Sequence, residues 1–485
     1  MPPQQTTNFS VVGASKVGGR LMAVTIPESS VGELRRSLSG ELVTPDDPEY
    51  DTARKVWNGD IDRRPAGIAR VRSVDDVRAA LAFALKEGLQ VAVRAGGHSF
   101  PGHSIADGAL VIDLRHLNQV TVDPDARRVT VGGGAVWGEV DVAIAEHGLG
   151  VTGGHVTHTG VAGLTLGGGV GHLMRSLGLS SDNLISAEVV TADGRVLEAS
   201  ETENPDLFWA IRGGGGNFGI ATQFVFALHP MPATVFGGLI FYAPKDGPEL
   251  MRLYNQVCKD MPDEVTTILA YLHAPPLPVV PESLHFKPIY AVIAVATDQA
   301  VGEKVLSPLR RFGPPLFEMI GPLPYQPVVQ SLFDPALPPG TKGYLNGHYF
   351  TELSDRVIDT VHSYTAKMPP GHSQMLFLQL GGAVARVPED HTAFGGRSAG
   401  FLSMFVGIWE ETGDRASAVA WARGFTQDTE PLSEGRTYIN LADTQTEERL
   451  VRAYGKEKYD KLARIKAKYD PDNVFRLNQN IKPKS

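Results

Sequence analysis

The sequence predicts an α+β protein of two domains, with the second domain inserted into the first. The chain has 485 residues, more than one ordinary hydrophobic core accommodates. Three glycine-rich loops precede residue 230, whereas proline-containing loops separate apolar strand-like segments beyond it. The segment Val474 to Ile481 is unusually specific for a tail, so it is expected to return to the first domain. The predicted ranges are therefore 1–229 and 431–485 for the first domain, and 230–430 for an inserted second domain.

The first elements follow from local patterns. Ser73 and Asp76 have the spacing of a capping box, and apolar residues recur at helical spacing from Val74, which predicts a helix there. A helix is also predicted at 206–211, with a strand after it at 223–226. The apolar, β-rich runs that predict further strands lie at 91–93, 109–114, 128–131, 284–295 and 375–383. The last helix is expected to stop at Asp470, because the residue before a proline is forced out of the helical region.

Charge and cysteine content exclude several classes of protein. The formal net charge is −9 and no run of basic residues occurs, so nucleic acid is not an expected partner. An anion must then be bound locally, by backbone N–H groups and a few side chains. Neither a secretory signal nor a membrane-spanning apolar run is present, which makes a cytoplasmic protein without a membrane partner the expectation. Cys258 is the single cysteine, so no intrachain disulfide or cysteine-based metal cluster can form.

One glycine motif formally matches the dinucleotide-binding fingerprint of a Rossmann fold, namely Gly214-x-Gly216-x-x-Gly219. That fingerprint needs a strand before it, a helix after it and an acidic residue about 20 positions on. Here a helix-like segment precedes it, a β-rich segment follows, and no carboxylate appears until Asp246. We therefore do not expect a Rossmann fold.

The segment from Arg94 to Ser99 has a different character. Gly96 and Gly97 allow the main chain to approach a ligand closely, while Arg94 and successive N–H groups can face a pyrophosphate. The residues of this loop alone leave two interpretations open. It is either a pyrophosphate-binding loop or a β-turn that carries an incidental histidine, His98.

Four segments taken together resemble the berberine-bridge-enzyme-like branch of the vanillyl-alcohol-oxidase superfamily of flavoproteins. They are Arg94-Ala95-Gly96-Gly97-His98-Ser99, the glycine-rich stretch from Gly160 to Gly171, the stretch from Asp206 to Gly219, and Asn478-Gln479-Asn480-Ile481. The resemblance runs from about Tyr50 to Pro483 and is weakest between about 230 and 375. It implies an FAD-binding domain of the PCMH type with two α+β subdomains, and an inserted substrate domain built on an antiparallel sheet.

The resemblance also implies how the flavin is held. His98 occupies the family's flavinylation position, where a histidine nitrogen is bonded to the 8α-methyl carbon of FAD. Many relatives add a cysteinyl link four residues before the glycine that matches Gly160, but Val156 stands there, so no cysteinyl link is expected. The chain is in this respect similar to the monocovalent bacterial hydroxynicotine oxidases. The residues implied to bind FAD are Arg94, Ala95, Gly96, Gly97, His98, Ser99, Gly102, His103, Val156, Thr157, Gly160, Gly163, Gly168, Gly169, Gly171, Ile220, Asn478 and Asn480.

The candidate catalytic residues are Tyr438, Asn440 and Gln379. Residues 438–441 resemble the family strand that passes the reactive side of the flavin, and strand alternation would place Tyr438 and Asn440 on one face. The family often has a tyrosine base directly after this asparagine, whereas this chain has Leu441. Tyr438 is then either the replacement base or a buried structural tyrosine, and Gln379 either faces substrate or is hydrogen-bonded between sheet and helix.

Other polar residues are weaker candidates. Arg397 is expected to form a structural ion pair. His155 and His158 are expected in the flavin pocket, and no metal site is predicted because no carboxylate or cysteine accompanies them at ligand spacing. His348 and Tyr349 have still less support.

The resemblance implies an FAD-dependent oxidase that acts on an alcohol, an amine or an activated C–H group of a small organic substrate. Hydride goes to flavin N5 and molecular oxygen regenerates the cofactor. Two alternatives stay open, which are a flavin dehydrogenase with another electron acceptor and a flavin-binding protein without turnover. Neither the substrate nor the oligomeric state follows from the sequence.

Overall fold

The computed structural model describes residues 9–17, 20–410, 413–443 and 446–484, with side chains from Ile26 onward. Up to residue 230 the chain forms short strands and helices in alternation. The helices are α1 Glu28–Ser37, α2 Tyr50–Ala53, α3 Val74–Lys86, α4 Trp137–Ala145, α5 Val161–Leu166, α6 Met174–Leu177 and α7 Pro205–Ile211. The strands are β1 Phe9–Val17, β2 Arg20–Pro27, β3 Glu41–Val43, β4 Gly67–Arg70, β5 Val91–Arg94, β6 Leu110–Asp113, β7 Val120–Asp123, β8 Arg128–Gly132, β9 Leu149–Gly150, β10 Leu184–Val190, β11 Val196–Ser200, β12 Ile220–Ala227 and β13 His229–Pro230.

Two sheets organise this region. A four-stranded sheet has the order β3-β4-β6-β5, and its β4-β6 and β6-β5 pairs are parallel. A five-stranded antiparallel sheet has the order β11-β10-β12-β8-β7. Helix α3 begins as predicted, because the Ser73 hydroxyl accepts a hydrogen bond from the backbone N–H of Asp76. The two sheets correspond to two subdomains, each with its own apolar core.

The middle of the chain forms one large antiparallel sheet. Its order is β17-β14-β16-β15-β20-β21-β18, with the short β19 also paired to β21. The strands are β14 Thr234–Tyr242, β15 Val265–His273, β16 Pro288–Ala296, β17 Phe317–Pro324, β18 Lys342–Asn346, β19 Tyr349–Phe350, β20 Gln374–Gln379 and β21 Phe401–Trp409. The accompanying helices are α8 Gly247–Lys259, α9 Gln299–Arg310, α10 Asp355–Thr365, α11 Ala383–Arg386 and α12 Arg415–Thr429.

Both faces of this sheet are buried. One face packs against helices α8, α9, α10 and α12 through side chains such as Met375 and Phe377. The opposite face, which carries Leu376 and Leu378, packs toward the first region of the chain. Strand alternation therefore decides which side chains of β20 face the first region and which face the helices.

The C-terminal segment packs on the first region. Helices α13 Glu447–Tyr454 and α14 Lys456–Tyr469 contribute to the core of the five-stranded sheet, and α14 ends before Asp470 as predicted. Lys466 is buried, forms an ion pair with Asp470, and donates to the carbonyl oxygen of Asn217 at 2.8 Å. The backbone N–H of Ile481 donates to the Asn217 side chain at 3.0 Å. These contacts join the chain terminus to the Gly213–Gly219 loop.

The predicted α+β class with an antiparallel insertion is confirmed. The Rossmann interpretation is excluded as expected, because helix α7 precedes the Gly214–Gly219 motif and strand β12 follows it. The bounds of two predicted strands were wrong. The strand predicted at 284–295 begins only at Pro288, and the strand predicted at 375–383 ends at Gln379. Within the described part of the chain, no helix is long and apolar enough to cross a membrane.

Candidate functional site

A cavity of about 360 Å³ lies between the glycine loops and the large sheet. One side is formed by the Ala95–Ser99 loop, the Gly154–Leu166 segment, the Gly215–Ala221 segment and the tail around Asn478. The facing side is formed by β15, β18, β20 and β21. Residues 438–442 line the cavity between the two sides. The four segments that the sequence singled out are thus all brought to one place.

The first glycine loop presents unused hydrogen-bond donors. Within the described part of the chain, none of the backbone N–H groups of residues 96–99 donates a hydrogen bond. Gly97 has φ +69, a left-handed conformation that glycine adopts without strain. Consecutive free N–H groups in such a turn form a cationic concavity suited to a phosphate group. The geometry of the loop therefore suits an anion, and a plain β-turn does not account for its unused donors.

The two glycine loops touch at their main chains. A Cβ atom added to Gly96 would lie 2.5 Å from both Cα and N of Gly160. Any side chain at Gly96 would push the loops apart, and the same holds for Gly160, whose added Cβ would lie 2.5 Å from the Gly96 nitrogen. This contact fixes the position of the first loop over the second.

His98 lies in a stack of rings. Its imidazole is stacked on the Trp57 indole with centroids 4.2 Å apart, and His158 lies on it at 5.0 Å. Its Nε2 atom is buried without a hydrogen-bond partner. Burial, and to a smaller extent His158, lowers the pKa of His98 to about 3. His98 is accordingly a neutral imidazole at physiological pH, held by aromatic neighbours at the cavity wall.

The expectation that Arg94 faces a pyrophosphate is wrong. Its guanidinium is buried, donates to Asp113 at 2.6 Å and to the Ala53 carbonyl oxygen at 2.7 Å, and does not line the cavity. Arg94 and Asp113 are register partners on the neighbouring strands β5 and β6. Burial alone would raise the pKa of Asp113, but Arg94 and Arg115 lower it to about 2. Arg94 thus belongs to a buried ion pair beneath the loop.

The other residues predicted to bind FAD divide into two groups. The cavity is lined by Ala95, Gly96, Gly97, His98, Ser99, His103, Val156, Gly160, Gly163, Ile220 and Asn478. The structure does not place Gly102, Thr157, Gly168, Gly169, Gly171 or Asn480 among the lining residues. These six shape the surrounding loops instead. Thr157, for example, is held by Asp334, which accepts from its backbone N–H at 2.9 Å and from its hydroxyl at 2.5 Å.

Tyr438 and Asn440 contact each other at the cavity, but the backbone conformation of this segment differs from the predicted one. Ile439–Leu441 is a 3₁₀ turn rather than a strand, so strand alternation does not apply. Asn440 Nδ2 donates to Tyr438 Oη at 2.9 Å, and the Gly169 backbone N–H donates to the same oxygen at 2.9 Å. Burial raises the pKa of Tyr438 to about 12, although both hydrogen bonds act to lower it. The phenolic oxygen therefore accepts two hydrogen bonds and remains protonated, so that its O–H can donate to a third group.

Gln379 does not reach the cavity. Its Oε1 accepts from the Thr267 hydroxyl at 2.7 Å and its Nε2 donates to the Cys258 carbonyl oxygen at 3.2 Å, on the helix side of the sheet. This is the structural alternative left open by the sequence. The cavity-facing positions of β20 are Gln374, Leu376 and Leu378. Gln374, at the other end of the same strand, is the polar side chain that the sequence argument missed. The sequence does not show which alternate residues of this strand face the cavity.

Comparison with known proteins identifies the family of this chain. Residues 65–200 match the family model described as FAD binding domain, and residues 437–482 match the one described as berberine and berberine like. An FAD-linked oxidoreductase of Dictyostelium discoideum is 33% identical over 458 residues, which is 93% of this chain and 97% of that protein. The chain belongs to the berberine-bridge-enzyme-like FAD-linked oxidoreductases.

Solved structures agree with this assignment. The 6-hydroxy-D-nicotine oxidase of Arthrobacter nicotinovorans superposes with a TM-score of 0.82 at 28% identity, covering 92% of this chain and 99% of that chain. A glucooligosaccharide oxidase of Acremonium strictum, which has a 6-S-cysteinyl, 8α-N1-histidyl FAD, gives 0.83 at 26% identity, covering 94% and 100%. The similarity to both extends over nearly the whole fold, including the large sheet.

The residues of this oxidoreductase fit an FAD molecule in the cavity. The free N–H groups of residues 96–99 suit a pyrophosphate, and Gly163, where an added Cβ would meet nothing within 4 Å, leaves space at the main chain beside it. Several buried polar atoms around the cavity have no hydrogen-bond partner among the described residues: His98 Nε2, His103 Nε2, Ser104 Oγ, His155 Nε2 and Asn478 Oδ1. Such atoms are costly unless a ligand satisfies them.

The remaining candidates have mainly structural surroundings. Arg397 forms the predicted ion pair, with both Asp182 carboxylate oxygens at 2.7 and 3.0 Å. His155 lines the cavity and packs edge-on against buried His172, with centroids 4.6 Å apart, and burial lowers the pKa of His155 to about 4. Among the described residues no cluster of His, Cys, Asp and Glu is arranged to hold a metal ion.

Three further candidates lie away from the cavity. His348 Nε2 lies 3.0 Å from the Thr426 carbonyl oxygen, and Tyr349 is buried in the core beside the large sheet. Cys258 is partly buried and packs against the core on the helix side of the sheet. Trp57, by contrast, was not predicted. Its contact with His98 joins two segments that are distant in sequence, and no local sequence pattern indicates such a contact.

Proposed function

We propose that this FAD-linked oxidoreductase is an oxidase of a small organic molecule, with FAD in the cavity and residues 230–430 as the substrate domain. The observation that carries the proposal is the position of Tyr438 and Asn440, between the anion-binding loop and the apolar face of the large sheet. Bound FAD would supply the two-electron acceptor, with flavin N5 receiving hydride from an alcohol, amine or activated C–H group and oxygen removing the electrons. Everything else is done by the chain's own residues.

The first task is to hold the cofactor without a basic side chain. No Lys or Arg is found among the described residues that line the cavity, so the pyrophosphate charge would be balanced by the N–H groups of residues 96–99. Asn478 Oδ1 and Ser104 Oγ are available for the polar parts of the cofactor. The main chain at Gly163, where an added Cβ would meet nothing within 4 Å, would pack against it without side-chain obstruction.

The second task is to fix the flavin through His98. A neutral imidazole has a free lone pair on one nitrogen, which bond formation to the 8α carbon requires, and burial keeps His98 in that form. Stacking between Trp57 and His158 holds the ring in one orientation. The glucooligosaccharide oxidase has a histidyl link as well as a cysteinyl one. Since Val156 cannot form the second, we propose a monocovalent histidyl FAD.

The third task is to accept the proton of the oxidised group. Tyr438 is the titratable side chain that lines the cavity next to Asn440, and its oxygen already accepts hydrogen bonds from Gly169 and Asn440. Both donors stabilise a phenolate if the proton leaves. We assign the Tyr438 phenolate, formed when the phenol loses its own proton to solvent, the role of proton acceptor and Asn440 that of its orienting partner, in place of a tyrosine at Leu441.

The cofactor link is tested by denaturing electrophoresis with in-gel flavin fluorescence. Wild-type protein and the control His116→Ala, which changes an exposed histidine, should fluoresce, whereas His98→Ala should not. Fluorescence retained by His98→Ala would disprove the histidyl link. A preparation that stays colourless after flavin supplementation would disprove FAD binding altogether.

Turnover is tested by mixing the flavin-containing enzyme with candidate substrates under anaerobic conditions. Bleaching of the flavin absorbance, followed by hydrogen peroxide formation on admission of air, is the expected result. Bleaching without peroxide would favour the dehydrogenase alternative. Absence of bleaching with every class of alcohol, amine and activated C–H compound would favour a flavin-binding protein without turnover.

A further inference from the structure

We propose that the substrate is an uncharged, mainly apolar molecule with one polar group at its oxidised end, and that Gln374 is the polar contact of the sheet wall that orients it. The inference rests on the proposed function and adds the substrate class. It is carried by the side chains that face the cavity from the large sheet. Sugars and permanently charged molecules are excluded by the same observation.

The sheet wall of the cavity is almost entirely apolar. It consists of Ile268 on β15, Leu345 on β18, Leu376 and Leu378 on β20, and Met404 and Val406 on β21. Phe100, Val170, Phe333 and Leu337 extend the same surface. Apolar walls of this kind bind ligands mainly through the apolar area that is removed from water.

No ionic side chain faces the cavity among the described residues. Its titratable lining groups are His98, His103, His155 and Tyr438. Burial lowers the pKa of all three histidines, to about 3 for His98 and about 4 for the other two, so each is neutral at physiological pH. A charged substrate would enter without a counter-ion, and an unpaired charge in an apolar cavity is strongly disfavoured.

Polyhydroxylated substrates meet a similar obstacle. Each buried hydroxyl needs a hydrogen-bond partner, and the polar side chains that line the cavity from the sheet wall and from residues 438–442 are Gln374, Tyr438 and Asn440. Tyr438 and Asn440 already bond to each other and to backbone groups. This set can serve one oxidisable group and one orienting contact, but not the hydroxyl array of an oligosaccharide, although oligosaccharide oxidases share the fold.

Gln374 is placed to make that orienting contact. It lies in a cross-strand row with Leu272 on β15 and Val406 on β21, so it is a polar residue surrounded by apolar ones. It is buried and lines the cavity, and no other side chain or backbone group is found to bond its amide in the described part of the chain. A substrate hydroxyl, carbonyl or ether oxygen would satisfy it.

The test uses four probes and the absorbance spectrum of the bound flavin. The probes are 4-methylbenzyl alcohol, the anion 4-(hydroxymethyl)benzoate, the cation 4-(hydroxymethyl)phenyltrimethylammonium, and cellobiose. Titration of the flavin-containing wild-type enzyme at neutral pH should give a Kd for the neutral alcohol at least about 10-fold below that of each other probe. Equal affinities, tighter binding of an ion or of cellobiose, or no binding of the neutral alcohol would overturn the inference. Flavin reduction by a charged or sugar probe would overturn the inference while leaving the proposed oxidase intact.

Two variants make the test independent of overall folding. Leu376→Lys should reverse the preference between the neutral alcohol and the benzoate, while Leu376→Met, which keeps the wall apolar, should keep the wild-type ranking. Gln374→Leu should weaken binding of 4-methylbenzyl alcohol by about 3- to 10-fold but leave binding of p-xylene, which has no polar group, unchanged. An unchanged thermal unfolding midpoint and an unchanged absorbance spectrum of the bound flavin report that each variant is folded. An unchanged ranking in Leu376→Lys, or an equal effect of Gln374→Leu on both probes, would refute the assigned wall and contact.

Discussion

Two glycine substitutions separate the fold from the cofactor site. The added methyl group of Gly96→Ala meets the protein itself, since Gly160 Cα and N lie 2.5 Å from its Cβ. Gly163→Ala on helix α5 meets nothing within 4 Å, yet it points into the cavity that we assign to FAD. The first change should destabilise the apoprotein, and the second should weaken cofactor binding without destabilising the apoprotein.

The magnitudes follow from the geometry. Carbon atoms normally approach no closer than roughly 3.4 Å, so Gly96→Ala must separate two main chains by nearly 1 Å, at a cost of about 1–3 kcal/mol. Gly163→Ala should be neutral or stabilising by about 0.5–1 kcal/mol, because alanine is the better helix former. With FAD in place, however, its methyl group overlaps the ligand, and an overlap of about 1–3 kcal/mol weakens binding roughly 5- to 150-fold.

The assay uses a His98→Ala background, in which FAD binding is reversible and apoprotein can be prepared. Thermal unfolding of each apoprotein gives stability, and fluorescence titration with FAD gives the Kd. Gly321→Ala on edge strand β17, which also meets nothing within 4 Å, is the matched control and should change neither quantity. If Gly163→Ala bound FAD as tightly as its parent, the cofactor would not lie against helix α5, and the reasoning would fail.

Three further predictions concern Asp113 and Tyr438. Asp113→Asn leaves Arg94 as an unpaired buried charge and should lower the free energy of unfolding by about 3–5 kcal/mol in urea denaturation, against less than about 1 kcal/mol for exposed Arg195→Gln. Because the pKa of Asp113 falls from 3.8 to about 2 on folding, its ionisation contributes about 2 kcal/mol above pH 4. That contribution should be lost as the pH falls toward 2, so the wild-type advantage over Asp113→Asn should shrink in that range; a constant difference would contradict the assignment. Tyr438→Phe should lower kcat by about 10²- to 10⁴-fold while the flavin content is retained. The kcat/KM of the wild-type enzyme should rise up to pH 10 without levelling, because burial holds the pKa of Tyr438 near 12. A plateau at neutral pH would identify another base.

Most of the cofactor side of the site was predictable because its signals are local. Glycines are required where two main chains touch, as at Gly96 and Gly160, and such positions are visible as residue types. The Ser73 cap and the stop before Asp470 are likewise set by neighbours in sequence. The exclusion of a Rossmann fold needed only the order of helix α7, the glycines and strand β12.

The substrate side was less predictable for a physical reason. Strand β20 is apolar on both faces because the sheet is buried on both, so its sequence does not show which set of alternating residues faces the cavity. Gln379 and Gln374 lie on opposite faces of the strand. Only the packing of the helices against one face decides which of the two lines the cavity. The 3₁₀ turn at Ile439–Leu441 likewise brings Tyr438 and Asn440 together by a geometry that a strand would not give.

The amino-acid sequence by itself determined the α+β class, the family, the glycine-containing loop at residues 94–99, the histidine at position 98 and the valine at position 156. These depend on residue types at fixed spacing, which chain connectivity preserves. Only the tertiary structure decided that Arg94 pairs with Asp113, that Trp57 stacks on His98, and that the large sheet presents an apolar wall with Gln374 in it. Each of those contacts joins segments distant in sequence, and their partners exist only once the strands have paired and the two regions have packed together.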